Sequence, residues 1–262
     1  MESYINLRTD LTEGILTITI NRESKLNALN RETLLELKDV FQYVQDHPKE
    51  IQGVILTGSG EKAFAAGADI SEFTRINEMS ARKFAEEGQE IFQSIENSQT
   101  PVVAVINGFA LGGGCELAMA AHLRVATASA KFGQPEANLG LIPGYGGTQR
   151  LTQLIGKGRA FEYLMTADMI SAGQALDWGL VNYVEADRPA AQAKAIEILS
   201  KIMKKAPVAI GLVIDAVNAH FEDGTDGYQT EANGFARCFN TQDFKEGVSA
   251  FLEKRPARFK GE

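Results

Sequence analysis

The chain is poor in cysteine, histidine and basic charge, and each shortage removes a class of function. Its two cysteines, Cys115 and Cys238, show neither C-x-x-C nor metal-ligand spacing, so no redox pair or zinc cluster is encoded. Three histidines, His47, His122 and His220, are scattered; they give no metal spacing and no Ser/His/Asp set. Acidic residues outnumber basic ones by 34 to 26, for a net charge of −8, which argues against a nucleic-acid groove as the main function. No apolar run approaches a membrane span. The first ten residues lack the basic-plus-apolar pattern of a secretion signal. A Walker A lysine pattern is missing too. These absences point to a soluble protein in a reducing, cytoplasmic setting, with no metal and no membrane or nucleic-acid partner.

What remains is periodic. The length, 262 residues, suits one large domain or a main domain with a small appendage. Leu16, Ile18 and Ile20 alternate with threonines, as in a half-buried strand. Leu34, Leu37, Phe41 and Val44 recur at helical spacing. A strand at 51–57, a helix carrying Phe84, Gly88, Ile91, Phe92 and Ile95, and a buried strand at 102–106 follow. This alternation runs to about Val184 and predicts an α/β fold with parallel pairings. From Arg188 onward helical patterns dominate. Ile210, Val213, Ile214, Val217 and Phe221 share one face, and Thr241 reads as an N-cap before Phe244, Val248, Phe251 and Leu252. The expected division is a body over 1–200 and a helical region over 201–262. No internal repeat is visible.

The richest segment is NGFALGGGCEL at 107–117. Three consecutive glycines between a strand pattern and a helix pattern leave backbone N–H groups bare and let a ligand approach the main chain. A helix N-terminus adds free donors and a positive dipole end. Such a place binds an oxygen that becomes negative during a reaction. Glu116 stands three residues past Gly113 as a candidate base. Upstream, AAGAD at 65–69 again puts small residues after a strand pattern. Two N–H groups from different segments hold an oxyanion far better than one. Taken alone, either stretch reads more readily as a tight turn. The G-x-G-x-x-A run at 58–63 imitates a dinucleotide fingerprint, but turn-like residues occupy 64–69 where its helix should continue.

FAAGADI (64–70), NGFALGGGCELA (107–118), FGQPEANLGLIPGYGGTQRL (132–151) and EKRPARFK (253–260) together resemble the crotonase, or enoyl-CoA hydratase/isomerase, family. The resemblance runs from Asn21 to Lys260, with every motif in order. It implies a core of ββα units wound as a spiral, and a C-terminal helical trimerisation region, with two trimers forming a hexamer. It implies a homo-oligomeric hydro-lyase of fatty-acid and lipid metabolism acting on an acyl-CoA. No cofactor is implied, since CoA belongs to the substrate. The oxyanion-hole donors become the N–H groups of Ala68 and Gly113.

Glu116 and Glu136 match the two acids of hydratases. Adding water across a C=C bond beside a carbonyl needs two proton movements, which one ionised and one protonated carboxyl can perform. Glu116 is expected to activate water and Glu136 to deliver a proton to C2. Read without the family, Glu136 would be a surface charge, whereas Glu116 sits among apolar neighbours. Relatives keeping one acid or neither run isomerase, hydrolase or lyase chemistry, and a few bind RNA without catalysis. An isomerase of the same fold and a non-catalytic RNA-binding relative are therefore the alternatives.

Gly144 aligns with the active-site wall, where its N–H could hold the water; a plain Pro-Gly turn explains it equally well. Lys25, Asn27 and Ala28 resemble the segment bordering the adenine and phosphates of CoA. Ala66, Asp69 and Ile70 match the segment lining pantetheine and adenine. Phe259 and Lys260 match a C-terminal pair reaching CoA on a neighbouring subunit. Ser71 stands where some hydratases carry a phosphate-binding lysine. Residues 72–85 are the expected wall for the acyl tail.

Overall fold

The computed structural model describes residues 4–75 and 77–262. Residues 1–3 of the stretch read for a signal, and residue 76 of the expected acyl-tail wall, lie outside the described residues. The chain opens with a hairpin, β1 (Leu7–Thr12) and β2 (Ile15–Ile20), followed by α1 (Arg31–Asp46). Three units of two strands and a helix come next: β3 (Gly53–Gly58), β4 (Ala63–Ala65) and α2 (Glu78–Glu96); β5 (Val102–Ile106), β6 (Phe109–Leu111) and α3 (Gly113–Ala120); β7 (Leu123–Thr127), β8 (Lys131–Gly133) and α4 (Gly147–Ile155). Then follow α5 (Lys157–Thr166), β9 (Ile170–Ser171), α6 (Ala172–Asp177), β10 (Tyr183–Glu185) and α7 (Arg188–Ile202). The last helices are α8 (Pro207–Ala219), α9 (Gly227–Cys238) and α10 (Gln242–Leu252).

The first strand of each unit joins one sheet and the second strand joins another. The six-stranded sheet runs β1-β2-β3-β5-β7-β10 and the four-stranded sheet β4-β6-β8-β9. This is the expected spiral of ββα units. The pairings from β2 to β10 are parallel, with Ile15 opposite Gly53 and Val54 opposite Val102. The expectation of parallel pairing fails at one edge of each sheet: β9 runs antiparallel to β8, and β1 antiparallel to β2 in a tight hairpin. Glu13 and Gly14 both have positive φ there, as a two-residue hairpin turn requires.

Side-chain alternation divides the large sheet. Val54, Leu56, Val102, Ala104 and Ile106 enter the main core with Phe41, Phe64 and Phe92. Ile55, Val103 and Val105 point the other way, onto Ala191, Ala195 and Leu199 of α7. Both faces are therefore covered, which is why β3 and β5 are apolar without a polar face. Asn30 caps α1 by accepting the Thr33 N–H at 3.0 Å, and Asn77 caps α2 by accepting that of Ser80 at 3.0 Å. Thr241 caps α10 as its sequence suggests, accepting from the Phe244 N–H at 3.0 Å. Phe221 falls beyond the end of α8.

Candidate active site

The two loop segments singled out in the sequence meet. Gly114 of α3 packs so tightly on β4 that a Cβ there would stand 1.9 Å from the Ala65 carbonyl oxygen. That contact seats the start of α3 beside residues 65–69. A Cβ on Gly113 would lie 3.4 Å from the Ala68 nitrogen, so the two amides are neighbours. Ala68 forms an isolated bridge with Leu29, in which Leu29 donates to Gly67 O at 2.8 Å and accepts from Asp69 N at 2.8 Å. In that pattern the Ala68 N–H points away from Leu29. Gly113 is the first residue of α3, where no intrahelical acceptor exists. Among the described residues, neither N–H has a hydrogen-bond partner. Gly112 is the N-cap, and Gly113 and Gly114 lie inside the first turn of the helix, which begins four residues before the small-residue pattern at Leu117.

Glu116 is also in that first turn and is 1% exposed. Its Oε1 accepts the Tyr145 N–H at 2.8 Å and the Gly147 N–H at 2.7 Å. Burial pushes its carboxyl up to about 7; the Gly147 and Tyr145 bonds and Arg150 oppose that shift, and Glu136 adds to it. With Oε1 held, Oε2 is left for chemistry. Glu136 lies in a short 3₁₀ turn, Pro135–Leu139, that Pro135 starts. Burial raises its carboxyl as well, and its Oε2 is buried without a partner among the described residues. Gly112 makes room for it: a Cβ at this positive-φ residue would stand 2.4 Å from Glu136 Oε1. Burial thus disfavours ionisation of both carboxyls, and the nearby Glu136 adds to the rise at Glu116.

Both acids line one cavity of about 520 Å³, together with Ala66, Ala68, Ile70, Gly113 and Gly144. This is the usual size for a small-molecule site. Gly144 accepts a hydrogen bond from Gln89 Nε2 at 2.8 Å through its carbonyl; among the described residues its N–H has no partner. Arg150 fixes the loop around it, donating to Tyr145 O at 2.8 Å and pairing with Glu96 at 2.8 Å. Phe73, Ala81, Phe84 and Ala85 supply apolar wall from the stretch 72–85.

The other expected contacts divide into three groups. Lys25 is exposed on a 3₁₀ turn, and Ala28 is half-buried beside it. Their segment is stitched to 66–69, with Ala66 N donating to Leu26 O at 3.0 Å. Asp69 accepts from Ser71 Oγ at 2.7 Å and pairs with Arg22 at 2.9 Å, which hold its carboxyl below the usual carboxylate range. Asn27 is buried in the same segment. Its Nδ2 donates to the carbonyls of Ser59 and Ala63 at 2.9 and 2.8 Å, and its Oδ1 accepts from Arg22 N and Ser59 Oγ. All four hydrogen-bonding positions of that buried amide are filled, so the side chain holds the loop and has nothing left for a ligand. Phe259 borders a separate apolar hollow beside α10, and next to it Lys260 N donates to Asp243 Oδ1 of that hollow at 2.7 Å. In a single chain they are not part of the cavity wall.

Sequence reasoning missed Tyr145 and Gly147. Their N–H groups orient Glu116, yet backbone donors leave no side-chain signature. An aromatic residue set among glycines, as in PGYGG, was the one available cue.

Comparison with known proteins identifies the family. Residues 10–262 match the family model described as enoyl-CoA hydratase/isomerase. The chain is 46% identical to a crotonyl-CoA hydratase from Syntrophomonas wolfei over 98% of both chains. It is also 46% identical to a short-chain-enoyl-CoA hydratase from Clostridium acetobutylicum, over 92% of both. The crystal structure of an enoyl-CoA hydratase from Bacillus anthracis superposes with a TM-score of 0.91 at 40% identity, covering 98% of this chain and 100% of that one. With the ββα spiral, the paired amides and both acids in place, this chain belongs to the enoyl-CoA hydratase/isomerase family.

Proposed function

We propose that the protein is a short-chain enoyl-CoA hydratase, adding water to trans-2-enoyl-CoA to give 3-hydroxyacyl-CoA, reversibly. One observation carries the reading: two carboxyls with raised proton affinity line the same cavity as two amides that have no partner among the described residues. The thioester oxygen accepts from Ala68 N–H and Gly113 N–H, at the positive end of α3. Glu116 takes a proton from water as the oxygen attacks C3. Negative charge builds on the thioester oxygen, and Glu136 protonates C2. The same groups run dehydration in reverse. Protons move only between water, carboxyls and carbon, so no metal or organic cofactor is called for. The names of the two relatives at 46% identity support a short acyl chain.

CoA would lie along Lys25, Ala28, Ala66, Asp69 and Ile70, with Gly144 N–H steadying the water. Phe259 and Lys260 would reach CoA on a neighbouring copy. That arrangement needs an oligomer, a trimer or dimer of trimers, built through the region 201–262. Broad exposed apolar faces on α8, α9 and α10 support it. Both cysteines are free, and among the described residues no helix is long and apolar enough to cross a membrane, in keeping with a reducing cytoplasm.

The test is loss of the enoyl-thioester absorbance of crotonyl-CoA with product analysis. Glu116→Gln and Glu136→Gln should each lower kcat by about 10²- to 10⁴-fold, with KM changed little. Near-normal turnover in either variant removes that residue from the mechanism. Double-bond migration without hydration would replace the reading with an isomerase.

A further inference from the structure

We propose that Tyr145 sets the acyl-chain length this cavity accepts, its ring being the stop on which the substrate tail ends. The proposal deepens the hydratase reading and rests on it for the orientation of the substrate. With the thioester oxygen at Ala68 and Gly113 and carbons C2 and C3 between the two acids, the next carbons run onto whatever stands beside Gly113 and Glu116.

That object is the Tyr145 ring. Its own N–H holds Glu116 Oε1 at 2.8 Å, so its backbone is fixed beside the acid. On one side, the Cδ2 and Cε2 edge lies 3.2 and 3.3 Å from where a Cβ of Gly113 would be. On the other, Cδ1 and Cε1 would stand only 2.2 and 2.3 Å from a Cβ on Gly88 of α2. The ring is thus wedged between the oxyanion helix and α2, and it fits there because residue 88 is glycine. Phe92 meets it edge-on at 5.4 Å between centroids, and Phe84 leans on it at 5.5 Å. A side chain gripped in this way cannot swing aside for a longer tail without displacing α2.

The hydroxyl points to bulk as the ring's purpose. It is buried, and among the described residues it has no hydrogen-bond partner. A buried phenol without a protein partner gains little stability from its oxygen, so it is the bulk of the ring that the packing holds in place.

The experiment compares wild-type protein, Tyr145→Ala and Tyr145→Phe on trans-2-enoyl-CoAs of four, six, eight and ten carbons. Wild type should lose at least about ten-fold in kcat/KM between four and eight carbons. Tyr145→Ala should raise the eight-to-four ratio at least about ten-fold, while Tyr145→Phe should leave it within about two-fold. Tyr145→Leu serves if the alanine variant does not fold. Equal wild-type efficiency on four and eight carbons, or an unchanged ratio in Tyr145→Ala, overturns the proposal. Calorimetric binding of butyryl-CoA and octanoyl-CoA to the same proteins reads the same stop without turnover. If no enoyl-CoA is hydrated but octanoyl-CoA gains affinity in Tyr145→Ala, the hydratase reading falls and the length stop stands.

Discussion

Glu116 is costly to keep. In the unfolded chain its carboxyl titrates near the ordinary 4.5, and in the fold near 7. Between those values the native state binds more protons than the unfolded state, so stability falls as pH rises through that window. Above it the protein carries a buried charge that two N–H donors only partly offset. Replacing Glu116 by glutamine keeps an oxygen for Tyr145 N–H and Gly147 N–H and removes the charge. Thermal or urea unfolding should find Glu116→Gln more stable than wild type at about pH 8, by up to about 3 kcal/mol. The gap should close toward about pH 4.5. A variant less stable than wild type at the higher pH would mean that the ionised carboxylate is a net stabiliser. The expected pattern, gained stability with lost turnover, is the mark of a residue kept for chemistry.

At the scale of elements, α3 decides whether the proposed pair of oxyanion donors can converge. Its docking on β4 depends on the missing side chain at Gly114. In Gly114→Ala the new Cβ meets a backbone carbonyl, which cannot rotate away, so α3 or β4 must shift. Ala68 lies three residues past Ala65, and the two amides should part. Turnover should fall about 10²-fold or more with both acids intact, alongside a stability loss of about 1–3 kcal/mol. Unchanged kcat would show that the amides are not held by this contact. The elements also explain what could be read beforehand. Long apolar strands such as β3 and β5 and striped helices such as α1 announce themselves because burial repeats at their own period. The second strand of each ββα unit is three residues long, too short for any period, so the repeat was invisible although the topology is built on it. That Ala68, Gly113, Glu116 and Glu136 belong together could be read because they stand in contiguous loop motifs, and the fold brings all four to one cavity. The clamp formed by Asn27, and the Tyr145 ring under Gly88, arise from contacts between segments far apart in the chain, which no local pattern records.

At the scale of the molecule, two apolar surfaces have different fates. The inner face of α7 is spent: Ala191, Ala195 and Leu199 are buried on the large sheet. Leu199→Ala should cost about 2–5 kcal/mol in a chemical melt and leave kcat unchanged, because that face lies behind the sheet. The C-terminal helices are not spent. Val213 and Val217 of α8, Tyr228 and Phe235 of α9, and Phe251 and Leu252 of α10 are all more than half exposed. A lone chain seldom shows so many large apolar side chains to water on three successive helices, and a second copy with the same faces is the partner most directly at hand. Sedimentation should therefore give a mass three or six times that of the chain. Val213→Asp with Phe235→Asp should dissociate it while circular dichroism stays native. If Phe259 and Lys260 act on CoA across subunits, the separated chains should show a KM raised about ten-fold or more, with kcat at saturation much less affected. Wild-type protein that sediments as a fully active single chain would leave those exposed faces, and the C-terminal pair, without the role given them here.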